Sequence, residues 1–291
     1  MTKDITIIDG GMGQELYRRS GKPASPLWSA QVMLDTPGLV IVLHREFIEA
    51  GAQIITLNSY AATPERLTRD ADISSFEPLQ KAALKAAHAA RDQAGLPVRI
   101  AGCLPPLVAS YHPELVPDNQ RALSSYRRIV DIQAPGVDLF IAETLSTVRE
   151  AEIICRAVAD VDQAVWVSFT VSDSDGTRLR SDEPLRDGID AAKDAGAEAV
   201  LINCSAPEAV TQAMELFVDS DIPFGGLANG FTSITAMAPG GTVEAMTARD
   251  DLGPAAYADH AMDWVSQGAT LIGGCCEVGP DHIAEIRNRL G

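Results

Sequence analysis

Aromatic side chains are scarce: 7 Phe, 5 Tyr and 3 Trp make up 5% of the 291 residues, so any core must be built from Ala, Val, Ile and Leu. Basic residues are outnumbered, 23 against 40 acidic, and the net charge of −17 repels phosphate backbones and argues against nucleic acid as a partner. Long apolar runs are missing. No stretch approaches the ~18 consecutive apolar residues of a spanning helix, so no membrane partner is expected. The opening "MTKDITIIDGG" turns acidic and glycine-rich too early for a signal peptide, which makes a cytoplasmic location the expectation. Cysteine is also rare, five in all. In a reducing compartment such thiols serve metals or catalysis more readily than disulfides.

What is present is a hydrophobic fraction of 46%, enough for a sizeable core, and a repeated alternation. Short β-branched runs at 5–9, 53–59, 98–102, 137–143, 164–170, 198–204, 223–229 and 269–274 are separated by helical spacing, as at 76–94, 146–159 and 184–195. Gly51, Gly136, Gly196 and Gly268 precede strands, where a left-handed residue would end each helix. Alternation of this kind implies a parallel sheet, and eight repeats predict a single α/β domain over 1–291, a (β/α)8 TIM barrel. A doubly wound open sheet is the alternative. The long aperiodic stretches 103–118, 171–183 and 229–253 each follow a strand, which places them on the carboxyl face, where barrel enzymes work. The segment 172–183 is expected to be a polar surface loop.

The strand ends carry the chemistry. The first ends in Asp9-Gly10-Gly11, the second near Asn58, the fourth in Glu143, the sixth in Asn203-Cys204, the seventh in Asn229, and the eighth runs into Cys275-Cys276. In a barrel all of these face one mouth. Cys204 and the Cys275/Cys276 pair then meet from the sixth and eighth strands, and three thiolates with an open fourth position suit a catalytic Zn²⁺. A Cys275–Cys276 disulfide would be strained. Cys103 and Cys155 read as ordinary buried thiols. "DGGMG" (9–13) lacks the spacing of a dinucleotide fingerprint, and its glycines would admit a ligand close to the backbone. Trp28 offers an indole face to a cation. The five His residues form no ligand pattern.

Over nearly its whole length the chain resembles the homocysteine S-methyltransferase family, through "DGGMGQEL", "PLWSAQVMLDTPGLVIVLHREFIEAGAQIITLNSYAAT", "DLFIAETLSTVREAE", "WVSFTVSDSDGTRL", "INCSAPE" and above all "GGCCEVGPDHI". The resemblance implies a zinc-dependent barrel that moves a methyl group onto the thiol of homocysteine to give methionine. It implies that Cys204, Cys275 and Cys276 hold the zinc and that Glu143 holds the substrate's amino group. Glu143 and Asn203 are the catalytic candidates. Asp9, Gly10, Gly11, Met12, Trp28, Asn58, Glu143 and Asn229 are the substrate-binding candidates. The small-molecule partners are homocysteine and a cationic methyl donor, with S-methylmethionine first, S-adenosylmethionine second, and betaine the runner-up. A barrel that methylates another small thiol or a selenol, or a non-catalytic metal-binding barrel, is the different class of reading. Three segments depart from the family's usual pattern: "GCLPPL" after the third strand, "LANGFTS" after the seventh, and Glu277-Val278 after the cysteine pair.

Overall fold

The eight expected runs all form strands. The computed structural model describes residues 4–23, 25–218 and 220–291. Its strands are β1 (Thr6–Ile7), β2 (Ile54–Thr56), β3 (Arg99–Leu104), β4 (Leu139–Leu145), β5 (Ala164–Phe169), β6 (Val171–Ser172), β7 (Asp175–Leu179), β8 (Ala199–Asn203), β9 (Phe224–Leu227) and β10 (Leu271–Ile272). Apart from β6 and β7, they pair in parallel in the order β1-β10-β9-β8-β5-β4-β3-β2. A further parallel bridge between Ile8 and Ile54 joins the two ends of that order. The sheet is therefore a barrel, and the open-sheet alternative falls.

Two apolar layers hold it. Inside the barrel, ten buried residues pack together, among them Ile8, Ile54, Leu139, Ile141, Leu201 and Leu271, with Trp166 the single aromatic. Outside, helices cover the strands through a much larger aliphatic layer that includes Leu43, Phe47, Ile129, Ile154 and Ile202. Each fully buried Leu or Ile side chain contributes about 1.5–3 kcal/mol, so the aliphatic composition suffices. The helices expected at 76–94, 146–159 and 184–195 are Phe76–Ala94, Val148–Val158 and Leu185–Asp194. Thr147 starts the second of these with a reciprocal capping box to Glu150. Among the described residues no helix is long and apolar enough to cross a membrane.

Two expectations need correction. Residues 172–183 are more than a polar surface loop: β6 and β7 pair antiparallel, and Val171 and Leu179 of these strands are buried. Within β7 the Asp175 side chain accepts from the Thr177 amide and hydroxyl, a local bond that a polar tract conceals. Gly51, Gly196 and Gly268 adopt the left-handed conformation, but Gly136 does not. It closes a 3₁₀ turn, Ala134–Gly136, where Leu84 and His88 crowd against it.

Candidate active site

Side chains alternate between faces along a strand, and this period builds the site. In β4 the inward series is Leu139, Ile141, Glu143. In β5 it runs through Trp166 to Ser168, and in β8 it is Ala199, Leu201, Asn203. The apolar members sit in the barrel interior, and the polar last member of each reaches a cavity of about 110 Å³ at the carboxyl face. That cavity is also lined by Asp9, Gly10, Gly11, Met12, Trp28, Asn58, Cys204, Cys275 and Cys276. Of the expected site residues only Asn229 does not line it. Asn229 is buried, and its Oδ1 accepts from the Phe231 amide.

The sulfur atoms of Cys204, Cys275 and Cys276 all lie within 4.8 Å of one another. Cys204 follows β8 with φ of 50°, and its amide donates to Leu227 O at 3.1 Å. Cys275 and Cys276 lie in a turn after β10. The amide of Cys275 donates to Ala228 O, that of Val278 returns to Cys275 O, and that of Gly230 donates to Cys276 O. The first loop packs directly on this turn: a side chain at Gly11 would overlap the Cys275 carbonyl, and the Gly11 amide donates to Val278 O at 2.9 Å. Glycine in "DGGMG" thus serves the approach of two backbones. The sulfur atoms of Cys204 and Cys275 are in contact, with that of Cys276 beside them. The two strand ends bring these sulfurs into bonding reach, with Cα atoms 5.6 Å apart. Cys103 and Cys155 are free, buried and outside the cluster, although Cys103 lines the cavity.

The cavity floor is acidic but reluctant to ionise. Burial pushes Asp9 up to about 8; two bonds from Thr56 oppose this, and nearby Glu143 adds to it. The Thr56 amide reaches Asp9 Oδ2 at 2.8 Å and its hydroxyl reaches Oδ1 at 3.2 Å. Burial likewise lifts Glu143 to about 7, opposed by a hydrogen bond from the Cys103 thiol. Glu143 Oε1 and Ser168 Oγ are screened from solvent and bonded to nothing in the described structure. A buried carboxyl, a half-buried one and a spare hydroxyl facing one small cavity suit a polar ligand that carries a positive group. Asn203 acts on the frame: its Oδ1 accepts from the Thr144 amide at 2.9 Å and its Nδ2 donates to the Thr144 hydroxyl. It thereby fixes the strand end that presents Glu143.

The outer wall is aromatic. Trp28 and Tyr60 meet edge to face, with ring centroids 6.2 Å apart. The Tyr60 hydroxyl is 2.8 Å from Ser110 Oγ. Tyr111 lies beneath the Arg180 guanidinium at 5.4 Å, and Arg180 is paired with Asp173. Phe231 packs with Cys204 and Cys276, joined by Ile234 and Met246 of the 229–253 segment. Six described non-glycine residues have positive φ, and five of them surround this mouth: Trp28, Tyr111, Thr144, Cys204 and Glu277. Backbone in this region costs about 1–3 kcal/mol per residue and collects at functional sites.

Ser168, Tyr60 and Tyr111 were not singled out in the sequence. The first was within reach, because a polar residue closing the inward series of an apolar strand is a readable signal. Tyr111 was not, because it depends on a hairpin some 70 residues further along the chain.

The family model described as homocysteine S-methyltransferase matches residues 6–290. The homocysteine S-methyltransferase of Escherichia coli K12 is 30% identical over 99% of this chain and 96% of its own. A selenocysteine Se-methyltransferase from Brassica oleracea var. italica is 26% identical over 99% of this chain and 90% of its own. The crystal structure of the homocysteine methyltransferase MmuM from Escherichia coli in its metallated form superposes with a TM-score of 0.82 at 28% identity, covering 99% of this chain and 96% of that one. The oxidized form of the same protein gives 0.81.

Proposed function

The chain belongs to the homocysteine S-methyltransferase family, and from that premise we propose that its carboxyl-face cavity moves a methyl group from a sulfonium donor to homocysteine, with Zn²⁺ held by Cys204, Cys275 and Cys276. One observation carries the reading: three sulfur atoms within 4.8 Å border the same cavity as Glu143, whose Oε1 has no partner. Three cysteine sulfurs from two strand ends are the donor set of an open zinc site. When bound, Zn²⁺ supplies the Lewis acidity that deprotonates a thiol whose free pKa is about 8.5.

The chain's own residues do the rest. Glu143 accepts from the ammonium of homocysteine, and Asp9 lies close enough to share that charge. An arriving cation returns both carboxyls toward the ionised form that burial disfavours. Asn203 keeps the Glu143 strand end in place, and Ser168 offers its free hydroxyl to the substrate's polar end. Trp28 and Tyr60 turn apolar walls to the donor, whose cationic sulfur is attracted to an aromatic face. The homocysteine sulfur then attacks the donor methyl carbon in line. A new S–C bond forms, the donor S–C bond breaks, and its electron pair stays on the donor sulfur, which leaves neutral. No enzyme side chain bonds to the methyl group, so the rate rests on orientation and exclusion of water. Residues 1–291 act as one homocysteine-binding domain, and a reducing cytoplasm keeps its thiols available.

S-methylmethionine is the first donor and S-adenosylmethionine the second. A selenol acceptor is the second reading, favoured by the selenocysteine Se-methyltransferase among the similar proteins. The test is a donor screen on the reduced, zinc-supplied protein with homocysteine held constant. Turnover with a sulfonium is expected, and Trp28→Ala should raise the donor KM up to ~thirtyfold while sparing that of homocysteine. Turnover with betaine but neither sulfonium would overturn the donor assignment.

A further inference from the structure

We propose that Gln14 and Glu277 are positioning residues that set the orientation of the Trp28 indole and tie it to the turn that carries Cys275 and Cys276. This rests on Trp28 being the donor wall. The indole Nε1–H donates to Gln14 Oε1 at 3.2 Å. Gln14 Nε2 donates to Glu277 Oε1 at 2.7 Å, and Glu277 Oε2 accepts from Arg18 at 3.1 Å. The carboxylate decides which way the Gln14 amide faces. Its NH2 must point at Glu277, so its carbonyl must point at the indole. Without Glu277 the amide is free to flip and set a donor against a donor.

The site is built for this contact. A side chain at Gly13 would overlap the indole ring, so the ring packs against the first turn of the helix Met12–Ser20. Trp28 itself has φ of 47° and Glu277 of 65°, so both ends of the bridge are held in strained backbone. Glu277 directly follows Cys276, and its side chain is only 11% exposed. Arg18 is half exposed and adds little by itself. A cation is attracted by the face of an indole and not by its edge, so ring orientation governs donor affinity. The bridge sets that orientation from the turn that also places two of the thiols.

The test combines NMR of the three indole N–H groups with a double-mutant cycle on the full-length enzyme. Trp28→Phe assigns the Trp28 resonance. Gln14→Met, which preserves volume, should shift that resonance and raise the donor KM about threefold to tenfold, with homocysteine KM and zinc content unchanged. In the Trp28→Phe background the same substitution should leave the donor KM where it was. Glu277→Gln, which offers a donor as well as an acceptor and so fixes the Gln14 amide less firmly, should lie between wild type and Glu277→Ala, and Glu277→Ala should resemble Gln14→Met. An unmoved indole resonance, a shifted resonance with unchanged donor KM, or an equal KM rise in the Trp28→Phe background would each overturn the proposal. Absence of turnover with any sulfonium in the wild type would instead contradict the donor reading beneath it.

Discussion

The barrel has two open ends, and the larger opening is not the one with chemistry. At the amino-terminal end a groove of about 830 Å³ is lined mainly by apolar residues such as Ile5, Ile48, Val98, Val265 and Leu290, with Asp4 and Arg287 beside them. Among the described residues no cysteine, histidine or glutamate contributes to its lining. At the carboxyl end a cavity of about 110 Å³ gathers three sulfurs, two carboxyls with raised pKa and two polar atoms that lack partners. Strained backbone gathers there too. Size follows from how strands and helices terminate. Convergent, unsatisfied and strained groups mark function, because each costs stability that folding alone would not spend.

The sharpest contrast between the ends is expected from Cys275→Ala. It should lose bound zinc and at least about a hundredfold in activity, with the far-ultraviolet circular dichroism of the barrel retained, whereas Cys155→Ser should keep both metal and rate. Next comes the stability of the metal-free protein. Glu143 has a folded pKa raised from 4.5 to about 7. Its contribution is therefore fully present below about pH 4.5 and is lost as the pH rises through about 7. The loss is on the order of 3 kcal/mol. Urea titrations should show stability falling across this window, and Glu143→Gln should flatten the fall; an unchanged slope contradicts the assigned cause, burial of the carboxylate.

The same variant should raise the homocysteine KM about tenfold to a hundredfold, the loss of a charge-assisted hydrogen bond, while zinc remains. An unchanged KM would remove Glu143 from the binding role. The smallest effect belongs to the other end. Arg287→Ala should leave both Michaelis constants unchanged and shift stability by no more than about 1 kcal/mol, because it removes side-chain packing on Gly51 and one long, exposed hydrogen bond to Glu49 O. A clear activity loss there would show that the two ends are coupled.

Legibility in the sequence followed the range of the forces involved. The eight strands were readable because burial imposes a local period, and Glu143, Asn203, Cys204 and the cysteine pair stood at the ends of those periods. The hairpin β6–β7 was not readable, because its two- and five-residue strands lie in "VSDSDGTRL", a largely polar tract whose side chains bond locally. Gly136 was misassigned because a 3₁₀ turn and a left-handed cap share the same residue. The bridge from Gln14 to Glu277 spans 263 positions, and neither residue has a local pattern to announce it. Glu277 was visible only as a departure after the cysteine pair, without a partner to explain it. Asn229 matched by position, yet the chain turns after β9 and directs its amide carbonyl to Phe231 N.

X-ray absorption at the zinc edge of the reduced, zinc-loaded protein, recorded with and without homocysteine, tests the central claim most directly. The account predicts sulfur neighbours at about 2.3 Å, whose number rises by one when homocysteine is added and does not rise with methionine. A sulfur count that stays the same on adding homocysteine, or zinc that remains bound when Cys204, Cys275 and Cys276 are all replaced by Ala, would contradict it.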